Sequence, residues 1–234
     1  MTDELSFEVY LSISQKKFVI YLLNKENLKN IYIDELYLES TTDQIDYNLL
    51  GSFLDNNIFK IEKLIGNFLK SINVIIKNNY ILNSSIGIKK KNYGETINKE
   101  YLENLLIELK DLFRENYQNN KIMHFLINRY SVDGVDHKTF EKEIYCNHMC
   151  IEVNFISIPN ILIKEISNVL GKYQIKIDRF LEEGYIKSFF ESNSLDLSVI
   201  AFKIQNGHNY SEISLVPKSL KKKGFFEKFF QLFS

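Results

Sequence analysis

The N-terminal part of the chain carries three β-strand patterns before the first helical pattern, and this order restricts the folds that the chain can adopt. Residues 5–13, 17–23 and 29–39 are apolar or alternate between apolar and polar side chains. Ser14-Gln15 and Asn24-Lys25-Glu26-Asn27 separate them, and both segments are typical of turns. Because short turns join antiparallel strands, the sequence predicts a three-stranded antiparallel meander.

Helical and extended patterns alternate along the rest of the chain, which predicts a mixed α/β (α+β) fold. Apolar residues recur at helical spacing over residues 58–69, 98–117, 159–171 and 181–190. Strand patterns occupy residues 72–76, 80–88, 121–132, 142–157 and 173–180. Leu195–Ile204 and His208–Val216 flank Asn206-Gly207, a pair typical of hairpin turns, and therefore predict a C-terminal hairpin.

The charge balance excludes partners that need a strong electric field. The 234 residues include 29 Lys and Arg and 30 Asp and Glu, which leaves a formal net charge of −1. We therefore expect no nucleic-acid partner. No apolar run reaches the roughly 20 residues that span a bilayer. Met1-Thr-Asp-Glu-Leu5 lacks the features of a signal peptide, so we expect the protein to stay in the cytosol.

The sequence contains no motif of enzyme chemistry. Its nine glycines form neither a G-x-G-x-x-G nor a G-x-x-x-x-G-K phosphate loop, and no G-x-S-x-G nucleophile motif is present. The histidines have no neighbouring nucleophile or carboxylate pair for acid–base catalysis. They are interpreted as structural: His124, His137, His148 and His208. We therefore expect no enzymatic activity and no cofactor.

Both cysteines lie in one strand pattern, Tyr145-Cys-Asn-His-Met-Cys150. Four residues of extended chain separate their Cα atoms by about 13 Å, beyond the reach of a disulfide bond. Cys146, His148 and Cys150 would share one face of the strand, but ligands spread along an extended strand cannot converge on one ion. The sequence therefore predicts neither a disulfide between the two cysteines nor a metal site.

The last residues of the chain form an amphipathic pattern with large aromatic side chains on one side. The apolar side chains fall within an arc of about 160° on a helical wheel. They are Phe225, Phe226, Phe229, Phe230, Leu232 and Phe233. Lys221, Lys222 and Lys223 precede this face and can reach anionic lipid headgroups. We therefore predict a membrane-binding helix over residues 217–234; the alternative is a helix that packs on the protein's own core.

Several segments in the middle of the chain match, in order, the motifs of one bacterial protein family. His124-Phe-Leu-Ile-Asn-Arg-Tyr-Ser-Val-Asp-Gly134 is similar to H-V-I-P-x-x-Y-x-V-D-G, and Ile81–Gly87 to H-I-x-x-x-N-S-x-G. Val153–Ser157 and Ile175–Asp178 are similar to V-H-x-I-T and K-V-D strands. These segments resemble FtsA, the actin-like bacterial cell-division protein, in order and spacing over most of residues 5–190. The basic, aromatic C-terminal segment also resembles the membrane-targeting tail of that family.

The resemblance implies a partial actin-like (RNase H-like) subdomain interrupted by an inserted one. The first would comprise residues 1–78 and 174–216, including the C-terminal hairpin, and the insert would comprise residues 79–173. The insert would be of the strand–helix–strand–strand (SHS2-like) type. The hairpin would open the family's second lobe, and the rest of that lobe, which binds the FtsZ filament in FtsA, would be missing.

The insert of FtsA serves contacts between FtsA molecules and contacts with later division proteins. The resemblance therefore implies that the insert of this chain carries partner-binding residues. We expect them where the resemblance is tightest, at Asn83, Ser84, Tyr130 and Asp133.

The residues that hold nucleotide phosphates in FtsA are replaced in this chain. The family carries an acidic residue and then Gly-Thr after the first strand, where this chain has Ser12, Ser14 and Gln15 and keeps only Lys17. A second loop of the D-I-G-G-G-T type corresponds to Ser192–Leu197, which has no glycine. A backbone that carries side chains cannot approach a phosphate as closely as a glycine-rich backbone can. We therefore expect that the protein neither binds nor hydrolyses ATP.

The resemblance then implies a non-enzymatic adaptor or scaffold in cell division or envelope assembly. We expect it on the inner face of the cell membrane, bound peripherally to an anionic surface. Its partners would be cell-division or envelope-assembly proteins, and self-association is a further expected contact. Two alternatives stay open: an actin-like ATPase that forms filaments, and an adaptor of a pilus or secretion assembly machine, since related actin-like folds serve there.

Overall fold

The computed structural model describes residues 6–39, 44–137, 143–189, 195–209 and 211–213, which form two compact units. The first unit contains the described residues up to Ile81 together with Ile158–His208. The second unit, here called the insert, contains Leu82–Ser157 and the described residues from Asn209 to Ile213. The tail predicted over residues 217–234 lies outside the described residues.

The elements follow one another, up to residue 188, as the alternating sequence patterns predict, apart from a short additional strand at Val135–His137. They are β1 (Phe7–Ile13), β2 (Lys17–Asn24), β3 (Lys29–Tyr37), α1 (Tyr47–Ile65), β4 (Ser71–Ile76), β5 (Leu82–Ile97), α2 (Lys99–Asn116), β6 (Asn120–Val132), β7 (Val135–His137), β8 (Ile144–Pro159), α3 (Asn160–Gly171), β9 (Lys176–Glu182), α4 (Glu183–Ser188) and α5 (Leu197–Gln205).

The first unit is built on a five-stranded sheet with the order β3-β2-β1-β4-β9. β1, β2 and β3 pair antiparallel, which confirms the predicted meander, and β4 and β9 are added in parallel. An antiparallel meander extended by parallel strands is the arrangement expected of an actin-like (RNase H-like) subdomain. The predicted mixed α/β fold class is therefore confirmed.

Helices cover both faces of this sheet, because β1 and β2 are apolar on both sides. On one face the ring of Phe18 lies 6.2 Å from that of Phe53 on α1. On the other face Tyr10, Tyr21 and residues of α4 and α5 form a buried cluster. β1, β2 and β4 are consequently the most deeply buried strands of the unit.

The insert is a four-stranded sheet with the order β5-β8-β6-β7. One face buries the apolar side of α2, and Phe155 lies at the centre of this core, with its ring 4.7 Å from that of Phe113 and 4.6 Å from that of Phe125. β8 alternates between buried and more exposed residues over Met149–Phe155. This alternation is expected of a sheet that has a core on one side only.

The predicted C-terminal hairpin is wrong, because Leu197–Gln205 forms α5. Gly207 adopts a positive φ of 86°, as a hairpin glycine would, but it terminates the helix. The amide of Gly207 donates to the carbonyl of Ile204, and that of His208 to the carbonyl of Lys203. A glycine with a positive φ occurs both in hairpin turns and at the ends of helices. A short apolar run does not distinguish a strand from a helix.

The predicted boundaries of the insert also need correction, because α3 belongs to the first unit. The sequence placed residues 79–173 in the insert, whereas the compact unit ends at Ser157. Tyr173, which follows α3, donates its hydroxyl to the Gly51 carbonyl of α1 (3.0 Å) and to Asp55 (2.7 Å). The helix predicted at 58–69 also begins earlier, where the Asp46 carboxylate caps the amides of Asn48 and Leu49.

Candidate functional site

The carboxyl ends of β1, β4 and β9 lie at one edge of the first unit's sheet, where open α/β sheets bind ligands. The turn from β1 to β2 is closed by its own side chain. The Ser14 hydroxyl donates to the Lys17 carbonyl (3.0 Å) and accepts from the amides of Lys16 (3.4 Å) and Lys17 (3.1 Å). Backbone amides that could face a phosphate are therefore turned onto Ser14.

The other residues that the sequence assigned to this phosphate loop are also engaged within the protein. Ser12 is buried in β1. Lys17 forms an ion pair with Glu35 on β3 (3.2 Å), and its ammonium lies 5.5 Å from the centre of the Tyr37 ring. Hydrogen bonding to Lys17 holds the pKa of the Glu35 carboxyl below its usual value. The lysine that remains from the family pattern therefore connects β2 to β3.

A carboxylate also lies at the carboxyl end of β9, at the same edge of the sheet as the β1–β2 turn. Glu182 accepts hydrogen bonds from the amides of Gly184 (2.8 Å) and Tyr185, at the start of α4. Amides at a helix start are the groups that bind anions, and here a negative side chain covers them. A polyphosphate would meet repulsion at this position rather than free donors.

The second predicted loop, Ser192–Leu197, is described only from Leu195 on. Its Asp196 precedes α5 and accepts a hydrogen bond from the Asn30 side chain (2.8 Å). The Ser198 hydroxyl donates to the same Asn30 side chain (2.8 Å). The described part of this segment therefore connects α5 to β3.

The four predicted partner residues lie at two separate places on the insert. Asn83 and Ser84 are at the start of β5, where Ser84 pairs with Phe155 of β8. Asp133 binds β8 at Asn147, eight positions from Phe155, or about 26 Å along an extended strand. The structure therefore does not bring the four residues together as one surface.

The four predicted partner residues also differ in how deeply they are buried. Asn83 is exposed, whereas the Ser84 hydroxyl is buried without a hydrogen-bond partner among the described residues. Tyr130 is 6% exposed and belongs to the insert core. Asn83 is thus the member of the β5 pair that a partner could reach directly, and Tyr130 contributes to packing.

Asp133 is a structural residue of the β6–β7 turn. It adopts a left-handed φ of 47°, a conformation that Asp tolerates better than most residues. Its carboxylate accepts from the backbone amides of Asn147 (3.0 Å) and His148 (2.7 Å), and its own amide donates to the His148 carbonyl (2.9 Å). The carboxylate therefore fixes the start of β8 against the end of β6.

We predict that Asp133→Ala lowers the free energy of unfolding of the insert by about 1–3 kcal/mol, because it removes a charged acceptor from two backbone amides. Asp133→Asn, which keeps one acceptor oxygen, should lower it less. Urea denaturation followed by circular dichroism measures both effects. A variant as stable as the wild type would show that the carboxylate serves binding rather than folding.

Exposed apolar side chains gather at the end of the insert that carries Asp133. Tyr93 is 84% exposed, Tyr145 75% and Val135 62%, and we call these three residues the tip. Between Lys91 and Glu95 the register of β5 shifts against β8, so Tyr93 stands on a bulge opposite the start of β8. Val135 pairs with Val132, next to Asp133. The tip is therefore one end of the sheet.

The backbone at the tip holds Tyr93 in a strained conformation. Tyr93 has φ of 51° and Gly94 φ of 79°; a left-handed non-glycine residue costs about 1–2 kcal/mol. The positive φ at position 94 favours glycine, and a Cβ there would lie 2.8 Å from the Tyr145 hydroxyl oxygen, so the Tyr145 side chain would have to move. The Asn92 side chain closes the bulge by donating to the Glu95 carbonyl (2.5 Å). Strain combined with exposure is typical of binding sites.

Sequence reasoning missed the tip, although a signal was present. The Tyr93-Gly94 pair follows the lysine run that comes directly after the strand pattern at residues 80–88, and a glycine within a continued strand indicates a bulge. The partner of this bulge, Tyr145, is distant in sequence and could be placed only by the pairing of β5 with β8.

A short extended segment, Ser211–Ile213, adds to β6 of the insert, and we call it the strap. The amide of Ile127 donates to the Ser211 carbonyl (2.9 Å), and the amide of Ile213 donates to the Phe125 carbonyl (2.7 Å). Ile213 is buried in the insert core. The chain that leads to the predicted tail is therefore fixed to the insert up to Ile213.

A buried polar contact holds the strap as well. Nδ1 of His124 lies 2.8 Å from a carboxylate oxygen of Glu212, and these side chains are 0% and 6% exposed. The histidine that opens the segment His124–Gly134 is thus structural, as the sequence predicted. Its role is to fix Glu212 beside β6.

The two cysteines and the one histidine of β8 do not form a cluster that could hold a metal ion. Cys146 and Cys150 are both free thiols, as the strand spacing predicted. Burial, followed by the charge of Asp133, raises the pKa of the Cys146 thiol above its usual value. No group of three metal-ligating side chains is found among the described residues. Within the same residues, no helix is long and apolar enough to cross a bilayer.

Comparison with known proteins gives similarity at the level of fold. No protein-family model and no curated protein sequence matches the chain. Similar solved structures include the cytoplasmic domain of EpsL, an inner membrane component of the type II secretion system of Vibrio cholerae, and a PilM–PilN type IV pilus biogenesis complex. A third is a Bacteroides thetaiotaomicron protein with an actin-like ATPase fold and unknown function.

These similarities are distant. The sequence identities are 13%, 8% and 17%, and the TM-scores are 0.40, 0.45 and 0.33. The matches cover 77%, 78% and 81% of this chain but only 59%, 49% and 58% of those chains. This chain therefore spans less than two thirds of the length of the three structures that it resembles.

Proposed function

We propose that this chain is a non-enzymatic adaptor that binds an anionic membrane peripherally and recruits protein partners in bacterial cell division or envelope assembly. The observation that supports a binding role most strongly is the carboxyl edge of the first sheet. There, Ser14 and Glu182 take the backbone amides that would otherwise face a phosphate. A division machine and a pilus or secretion assembly machine could both use such an adaptor, and the identity of the captured partner decides between them.

We predict that magnesium and ATP do not change the melting temperature of the protein. A ligand present at 100 times its dissociation constant would add about 2.7 kcal/mol of stability, which a thermal shift detects easily. Glu182→Gln is a useful companion variant, because it removes the charge that would repel a phosphate. Micromolar ATP binding by the wild type in calorimetry would favour the alternative, an actin-like ATPase that forms filaments.

The tip is the surface that we propose for partner binding. Exposed tyrosines are frequent in protein interfaces, where they combine a large apolar area with a hydroxyl group. The tip presents two of them on a backbone that glycine and a side-chain hydrogen bond hold in place. It therefore replaces the predicted site at Asp133, which binds β8 instead.

We predict that Tyr93→Asn combined with Tyr145→Ser abolishes partner capture from an extract of the native cell without loss of stability. Asn accepts the left-handed φ of position 93, so the backbone should not change. Phe59→Ser is the matched control, since Phe59 is 73% exposed on α1 of the first unit. Capture that is equal for the double variant and the wild type, compared by pull-down and mass spectrometry, would exclude the tip as the partner surface.

A further inference from the structure

No described strand pairs with the outer edge of β5. β5 lies at the end of the strand order of the insert, and β8 is the strand that pairs with it among those described. From Leu82 to Lys91 the pairing with β8 is regular, without a bulge that would twist the edge away. Such an edge presents a row of backbone donors and acceptors to another chain.

The two faces of this edge differ in charge. Lys90 pairs with Met149, which faces the core, and binds Glu108 on α2 (2.8 Å). Lys89 and Lys91 pair with Cys150 and His148, which places both on the face opposite α2. Both ammonium groups lie on exposed residues, and neither has an ion-pair partner among the described residues.

An acid that lies close in register to Lys89 is already engaged. Glu152 pairs with Gly87, two positions before Lys89 on the same face, and accepts a hydrogen bond from the Asn128 side chain (2.6 Å). The edge therefore offers two positive charges, spaced by two residues, that match acidic side chains at alternate positions of an added strand. Directly opposite residues on neighbouring strands have Cβ atoms about 5 Å apart, close enough for such pairs.

We propose that the outer edge of β5, from Leu82 to Lys91, binds an extended acidic segment of a partner protein as an additional strand. Backbone hydrogen bonds to the edge supply affinity, and Lys89 and Lys91 select alternating acidic side chains. Beyond Lys91 the added strand reaches the tip, where Tyr93 and Tyr145 are exposed to an apolar residue of the partner. This inference rests on the proposed adaptor function and specifies the chemistry of the partner.

The test uses the full chain and a fluorescent peptide of about eight residues, a usual strand length, that alternates Glu and Thr. Fluorescence anisotropy should show saturable binding of this peptide, and no binding of the same peptide with Lys in place of Glu. Lys89→Glu with Lys91→Glu should weaken binding about tenfold or more, since two attractive pairs become repulsive. Lys60→Glu with Lys63→Glu, exposed on α1, is the matched control and should leave binding unchanged.

Peptides methylated on alternate backbone nitrogens test the added strand itself. Methylation along one edge of the peptide should abolish binding, and methylation along the other edge should not, although the charges are identical. Thermal melting checks that the variants fold. If charge reversal unfolds the insert, Lys89→Ala with Lys91→Ala replaces it.

Three results would overturn the proposal: no saturable binding of the acidic peptide, equal binding by the Lys89→Glu, Lys91→Glu variant, or equal binding of both methylated peptides. A lack of binding of the acidic peptide would indicate that the lysines protect the edge from pairing, a common role for lysine on edge strands. If one of these three results is obtained but the tip variant still loses partner capture, only the strand-edge proposal fails and the adaptor function remains supported. If the wild type captures no partner at all, the adaptor function itself fails, whatever the peptide results.

Discussion

Deletion of residues 218–234 is expected to release the protein from vesicles that contain anionic lipid and to leave the described fold intact. Even partial burial of six large apolar side chains yields several kcal/mol at about 25 cal/mol per Å². Each lysine near an anionic surface adds about 1 kcal/mol. Together these contributions exceed the free energy needed to order a short helix that is marginal in water. Co-sedimentation with vesicles measures the effect.

A point variant separates the aromatic face from the lysines. Phe226→Glu with Phe230→Glu should abolish vesicle binding nearly as well as the deletion, because charges on that face cannot enter the acyl boundary. High salt should weaken wild-type binding only in part, since it screens the lysines but not the apolar contact. Full vesicle binding by the truncated protein would mean that the tail packs on the core of the protein instead.

The position of a C-terminal truncation is expected to decide whether the insert folds stably. A deletion of residues 209–234 removes the strap, including Ile213 from the insert core, and loss of a buried isoleucine costs about 2–5 kcal/mol. It also removes the Glu212 carboxylate from His124 inside the protein. A deletion of residues 214–234 keeps both contacts and should leave the stability of the insert unchanged.

Urea denaturation of the two truncated proteins measures this difference. The free energy of unfolding should fall by several kcal/mol for the deletion from residue 209, through the lost Ile213 packing. Ile213→Ala in the full chain should reproduce most of the loss, since the strap then keeps its backbone hydrogen bonds. Equal stability of the two deletions would show that the strap does not contribute to the stability of the insert.

Local sequence patterns predicted the strands of the first unit well. The turns at Ser14-Gln15 and Asn24–Asn27 identified the meander, because short polar turns between apolar runs leave antiparallel pairing as the simplest arrangement. The wrong prediction of a hairpin over residues 195–216 also arises from a local pattern. Asn206-Gly207 provides a left-handed residue that a hairpin and a helix end both need, and the burial that favours α5 comes from the distant strand β2 and from β1.

The candidate site was less accessible to sequence reasoning, because its chemistry depends on pairings between distant segments. Asp133 was identified as a special residue, but its carboxylate contacts amides that are fourteen and fifteen positions away. The tip depends on Tyr145 lying over Gly94, which no spacing within one segment reveals. The prediction that the tail binds membranes concerns residues outside the described part of the chain and stays a prediction.

Recruitment of partners to vesicles without nucleotide tests the central proposal most directly. Full-length protein is bound to anionic vesicles, incubated with a membrane-free extract of the native cell that has been depleted of ATP, and sedimented. We predict that a partner sediments with the wild type and not with the Tyr93→Asn, Tyr145→Ser variant, although both bind the vesicles. Recruitment that requires added ATP, or that is equal for the two proteins, would contradict a nucleotide-independent adaptor that works through the tip.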